Sequence, residues 1–85
     1  MKLHVLYFAR LREVFGRASE EVDLAGFAPD VGGLVACLRS RGSPWDVELA
    51  PDRTFRVAVN QEMATLETPL RANAEVAIFP PVTGG

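Results

Sequence analysis

The sequence is notable first for what is scarce. One residue in 85 is cysteine, Cys37, so no internal disulfide can form. One is histidine, His4, with no Cys, His or carboxylate at metal-ligand spacing, so a sheet-face histidine is expected and no metal site. Lysine occurs once, at Lys2, and the other cations are arginines. Nine basic residues face eleven acidic ones for a net charge of −2, with no run dense enough to neutralise several phosphates, so nucleic acid is not an expected partner. Long apolar runs are missing as well. Leu3 to Ala9 is too short and too interrupted for a membrane span or a secretion signal, which leaves no membrane partner and the cytoplasm as the expected compartment. Neither G-x-x-x-x-G-K nor G-x-G-x-x-G occurs, so Gly32-Gly33 is not read as a phosphate loop.

What is present is an ordinary globular composition, 48% apolar and 24% charged, with a mean hydropathy of +0.10. A chain of this length makes one small domain that buries about 60 to 65% of its extended surface. KLHVLYF, residues 2–8, reads as a strand. RLREVFG follows, with Leu11, Val14 and Phe15 at helical spacing and Gly16 where a helix stops. Residues 18–24 alternate weakly and suit a second strand against the first. Asp30 is positioned as an N-cap, and Val31, Leu34, Val35 and Leu38 form one apolar helical stripe that Gly42 is expected to end. Gly32 and Gly33 in its first turn cost about 1 kcal/mol each against alanine, so this helix should depend on packing against a sheet. SPWDVELAPD, residues 43–52, is a connection with one helical turn. TFRVAVN, residues 54–60, is a strand with Phe55, Val57 and Val59 on one face and Arg56 and Ala58 on the other; 63–66 is a short edge piece, 69–74 a turn and EVAIF, residues 75–79, the last strand. The order describes a single α+β domain: a mixed sheet of four or five strands with one main helix across one face.

The functional signal lies at the C-terminus, where EVAIF runs into Pro80-Pro81-Val82-Thr83-Gly84-Gly85. The expected division is a folded domain over residues 1–80 and a flexible Gly-Gly tail over 81–85. Five residues beyond Pro80 span at most about 17 Å, with prolines stiffening the base and two glycines giving a tip without side chains, suited to a narrow channel. A terminal carboxylate is a poor electrophile until converted to an acyl-adenylate; it then accepts an amine or sulfide, and either outcome makes the protein a carrier.

On EVAIFPPVTGG (75–85), with weaker support from LYFARLREVFG (6–16) and VAVNQ (57–61), the chain resembles the small, sulfur-carrying subunits of molybdopterin synthase, a group within the ubiquitin-like β-grasp family. The resemblance covers essentially the whole chain and implies a β-grasp fold. It implies that Gly85 is adenylated by a ubiquitin-activating-like adenylyltransferase that uses ATP, then converted to a thiocarboxylate with sulfur from a donor enzyme. Pro81, Val82, Thr83, Gly84 and Gly85 would then enter the large synthase subunit and deliver sulfur to cyclic pyranopterin monophosphate, forming the molybdopterin dithiolene. The chain would bind no cofactor and catalyse nothing alone. It departs from the pattern at Asn73-Ala74, where many relatives have Gly-Asp, and at Gly32-Gly33. Asn tolerates the positive φ that the turn requires.

Two residue groups remain. Strand 1 is apolar on both faces, Leu3, Val5 and Tyr7 against Leu6 and Phe8 with His4, whereas a sheet covered on one side needs one such face. Leu6, Phe8, Phe79 and Pro80, with Ile78 as a further candidate, are the expected docking patch. The competing expectation is a second small core under residues 43–52 with Trp45 folded onto that face. Cys37 is expected to pack, and Arg10, Arg12, Arg39 and Arg41 to be solvated helix charges. Two other functions are compatible with the same tail: a sulfur carrier of another pathway, such as thiamine thiazole synthesis, and a ubiquitin-like modifier conjugated to lysines. A plain interaction domain with an inert tail is the third.

Overall fold

The computed structural model describes residues 1–81. Its elements are β1 (Lys2–Tyr7), α1 (Ala9–Phe15), β2 (Ser19–Asp23), α2 (Val31–Arg39), α3 (Trp45–Glu48), β3 (Arg56–Val59), β4 (Glu62–Ala64) and β5 (Glu75–Phe79). The strands form one five-stranded sheet in the order β2-β1-β5-β3-β4. The central pair β1 and β5 is parallel and every other pair is antiparallel. The sheet is therefore mixed, within an α+β domain.

The alternation in β1 sets the inner face. Leu3, Val5 and Tyr7 are buried with Val22, Val57, Val76 and Ile78 of the neighbouring strands, and the α2 stripe of Val31, Leu34, Val35 and Leu38 joins the same cluster. Burying such side chains stabilises the fold by about 1.5–3 kcal/mol each. Asp30 caps α2 as expected, its Oδ1 accepting the Gly33 N–H at 2.7 Å. Gly33 has a steric reason that the sequence does not show: a Cβ there would lie 1.9 Å from the Ala28 carbonyl oxygen. Gly16 closes α1 in the left-handed region at φ 72°, donating to the Arg12 carbonyl at 3.0 Å. Asn73 adopts φ 67°, so the turn before β5 keeps its shape without glycine.

α2 runs to Arg39 with Ser40, still right-handed, as its C-cap, and the Arg41 and Gly42 N–H groups donate to the Leu38 and Arg39 carbonyls before Gly42, at φ 87°, turns the chain away as expected. One expectation is corrected and one is sharpened. Trp45 does not cover the second sheet face. It stacks on Phe15 at 3.9 Å between ring centroids and meets Tyr7 edge-on at 5.5 Å, so α3 belongs to the helical side. Arg10 and Arg41 are exposed as expected, yet neither is unpartnered: Arg41 lies 4.5 Å over the Trp45 ring and pairs with Glu20, and Arg10 makes a two-point contact with Glu48. Cys37 packs, half-buried, against the core. No helix among the described residues is long and apolar enough to cross a membrane.

Candidate functional site

With both long helices on the inner face, the other face of the sheet is bare, and strand register says what stands on it. Leu6 is opposite Ala77 across the parallel pair, Ala77 is opposite Ala58, and Ala58 is opposite Met63. Directly opposed residues share a face. A four-strand apolar row therefore crosses β1, β5, β3 and β4. One step toward the end of β5, Phe79 is opposite Arg56. Leu6, Ala58, Ala77 and Phe79 are half-buried and Met63 is 65% exposed.

Phe8 follows β1 immediately, donates its N–H to the Ile78 carbonyl at 3.2 Å and leaves its side chain 44% exposed, which places it beside the end of β5. Pro80 and Pro81 continue from that end, both half-buried. Four of the expected docking residues, Leu6, Phe8, Phe79 and Pro80, thus belong to the open face or to the strand ends that border it. Ile78 does not, being fully buried on the inner face. Val82, Thr83, Gly84 and Gly85 lie outside the described residues. Ala58, Ala77, Met63 and Arg56 were missed as members of this surface. The alternation of β3 already put Arg56 and Ala58 on its outer side, and only the sheet order, β3 beside β5, was needed to join them to Phe79.

The chemistry of the face is divided along β5. His4 stands opposite Glu75 and Glu21 at the start of the strand, and the apolar residues gather at its finish, about 13 Å away for a four-residue separation. Among the described residues, the end next to the tail offers no side chain that would act as a nucleophile or exchange a proton, and what it offers is apolar contact area at the end of β5. Among the described residues, no three of His, Cys, Asp and Glu converge as a metal site.

The ionisable groups with displaced titration lie on the helical side. Glu20 is opposite Val5, hence on the inner face. Burial pushes its carboxyl up, but hydrogen bonds from Arg41 and Tyr7, together with the nearby Arg17 and Arg41 charges, outweigh this and hold it below the ordinary carboxylate range. The Tyr7 hydroxyl, donating to Glu20 Oε2 at 2.6 Å, is pushed far up by burial and by that carboxylate. Glu48 is held low mainly by its hydrogen bonds from Arg10, with Arg53 adding to them at 3.2 Å against the opposing effect of burial. These groups fasten α1, α3 and β2 to one another and stand apart from the open face.

A mixed sheet with a parallel central pair, a helix crossing one face, and a last strand that sits in the middle defines a ubiquitin-like β-grasp protein. The chain belongs to the ThiS family, which it matches over residues 5–85. It is 39% identical over 83 residues to the molybdopterin synthase sulfur carrier subunit of Escherichia coli, covering 98% of this chain and 99% of that one. The subunit of the same name from Mycobacterium tuberculosis is 39% identical over 88 residues, covering 100% and 99%. Among solved structures, small archaeal modifier protein 1 of Haloferax volcanii superposes with a TM-score of 0.66 at 35% identity, covering 95% of this chain and 98% of that one.

Proposed function

We propose that this protein is a sulfur carrier in molybdenum cofactor synthesis, acting as the small, non-catalytic subunit of a molybdopterin synthase. Its full-length likeness to the Escherichia coli sulfur carrier subunit carries the reading. The sequence ending Pro-Pro-Val-Thr-Gly-Gly behind the central strand supports it.

In this reading the Gly85 carboxylate attacks the α-phosphate of ATP on a ubiquitin-activating-like partner, releasing pyrophosphate and forming an acyl-adenylate. Sulfide-level sulfur delivered by a donor enzyme displaces AMP and leaves a thiocarboxylate, and the chain itself holds no cofactor. Pro81 to Gly85 then enters the large synthase subunit, where the sulfur passes to cyclic pyranopterin monophosphate while water cleaves the Gly85 carbon–sulfur bond and the spent carboxylate is released. A dithiolene needs two sulfurs, so carriers must exchange, and an apolar surface of limited extent around Leu6, Phe8, Phe79 and Pro80 suits docking that is reversible. The deciding measurement is the intact mass after reaction with a cognate activating enzyme, ATP and a sulfur donor. A gain of about 16 Da, oxygen replaced by sulfur on the C-terminal peptide, is expected, and it should vanish when Gly85 is deleted.

A second reading, conjugation to lysines as a protein modifier, is favoured by the likeness to small archaeal modifier protein 1. It uses the same acyl-adenylate with an amine as the acceptor. Lysines of cellular proteins that carry the branch ANAEVAIFPPVTGG, residues 72–85, after tryptic cleavage at Arg71 would establish it, and a lysine proteome without that branch would remove it.

A further inference from the structure

A second surface lies on the helical side, where α2, the residues before β3 and the short edge strand β4 enclose a groove of about 470 Å³. Its floor is apolar, built from Val31, Val35, Leu49 and Val57, all buried in the core. Met63 and Leu66 form the lip and are 65% and 52% exposed. The charge on the groove is of one sign: Arg39 and Arg53 line it, Arg56 borders it from a strand position on the open face, and no carboxylate does. That is unusual in a chain of net charge −2. Arg53 is partly matched by Glu48, whereas neither Arg39 nor Arg56 has an ion pair among the described residues. Arg39 also keeps its Nε buried without a hydrogen-bond partner among the described residues.

We infer that this groove docks a segment of a partner protein in which carboxylate side chains alternate with apolar ones. The arginines select the anion, in the geometry that guanidinium offers to carboxylates, and the floor takes an apolar side chain. The occupant is a chain segment rather than a small acid, because filling the floor alone would leave Met63 and Leu66 uncovered. The floor of the groove is on the opposite side of the sheet from Leu6 and Phe79, whereas Met63 and Arg56 belong to the open face as well, so a partner here covers the β3–β4 margin of that face and leaves Leu6, Phe79 and the end of β5 accessible. This inference stands apart from the sulfur-carrier reading, and its test reads binding without any sulfur chemistry.

The test is a two-dimensional ¹H–¹⁵N NMR titration of the full 85-residue chain with a blocked hexapeptide of alternating leucine and glutamate. Shifts are expected in residues 31–36, 53–57 and 63–66, saturating with a dissociation constant on the order of 0.1–1 mM. The glutamine version of the peptide should bind about tenfold more weakly, as should Arg39→Gln against the original peptide. Leu66→Ser, a change on an exposed residue, should weaken binding as well and guards against misfolding of the arginine variant. Absence of saturation, shifts centred on Leu6, Phe8 and Phe79, or equal affinity for the glutamine peptide would overturn the inference. Hexanoate binding as tightly as the hexapeptide would also overturn it by making the groove a small-acid site. So would reproduction of the same shifts by deleting residues 82–85 alone, since the occupant would then be the chain's own end.

Discussion

Arg41 closes on Glu20 across 21 positions of sequence with two parallel hydrogen bonds, Nη1 to Oε2 at 2.8 Å and Nη2 to Oε1 at 2.9 Å. The same carboxylate accepts from the Tyr7 hydroxyl at 2.6 Å, and the same guanidinium lies over Trp45. One acidic side chain on the edge strand β2 thus organises the inner face of β1, the segment after α2 and the start of α3.

Acid should loosen this arrangement before anything else. Glu20 and Glu48 both titrate below their ordinary range in the folded chain, so each contributes stability that is complete above the unfolded-state carboxylate value, about 4.3. That stability is lost as pH falls through the lower folded values. Urea midpoints should therefore be level from neutrality down to about pH 5 and fall below it, and Glu20→Gln should flatten the acid limb. Unfolding curves at closely spaced pH values check this.

Removing the acceptor altogether has a separate cost. Glu20→Ala leaves the buried Tyr7 hydroxyl without a partner, a loss of about 1–3 kcal/mol, most of it coming from the hydroxyl because partly exposed ion pairs contribute little. Tyr7→Phe in the Glu20→Ala background should recover part of that loss, and a double-mutant cycle by chemical denaturation measures it.

The two adjacent glycines of α2 should respond in opposite ways to alanine. At Gly33 the new methyl meets the Ala28 backbone at 1.9 Å, and destabilisation of about 2 kcal/mol or more is expected. At Gly32 the nearest atom is the Leu66 carbonyl oxygen at 3.3 Å, so a gain in helix propensity of about 1 kcal/mol offsets a small adjustment. Thermal melts of the two variants separate the cases.

Charged substitution of the open face should spare the fold and remove the interaction. Leu6→Asp and Phe79→Asp alter half-buried outer positions, so melting temperatures should fall by only a few degrees, whereas affinity for the two proposed partners, an activating enzyme and a large synthase subunit, should drop about tenfold or more. Val76→Asp, on the fully buried inner face of the same strand, should instead unfold the protein. Calorimetric titration beside circular dichroism distinguishes the two results.

Elements set by local pattern were legible in the sequence. The alternation of β1 and of the 54–60 segment gave the faces correctly, Asp30 caps α2, and Gly16 and Asn73 hold the positive φ that their turns need. What depended on contacts between distant segments was not. Trp45 in a proline-bearing stretch reads as a connection, because nothing nearby in sequence shows that Phe15 and Tyr7 wait to receive it. Arg41 reads as a solvated charge because Glu20 is 21 residues away. The patch was half-visible for a similar reason: Leu6, Phe8 and Phe79 stood out by size, whereas Ala58 and Met63 join them only once β3 lies between β5 and β4.

The placement of β5 also has a mechanical side. In the proposed reading a docked tip is withdrawn from a partner's channel in each cycle; the load then passes into the strand that bears it, and that strand is gripped by β1 along one edge and β3 along the other. A pull along the strand axis loads both ladders in shear, so the bonds must yield together, whereas a strand at the sheet margin could peel away one bond at a time. A carrier that shuttles repeatedly is thereby anchored like a cable set in the middle of its block.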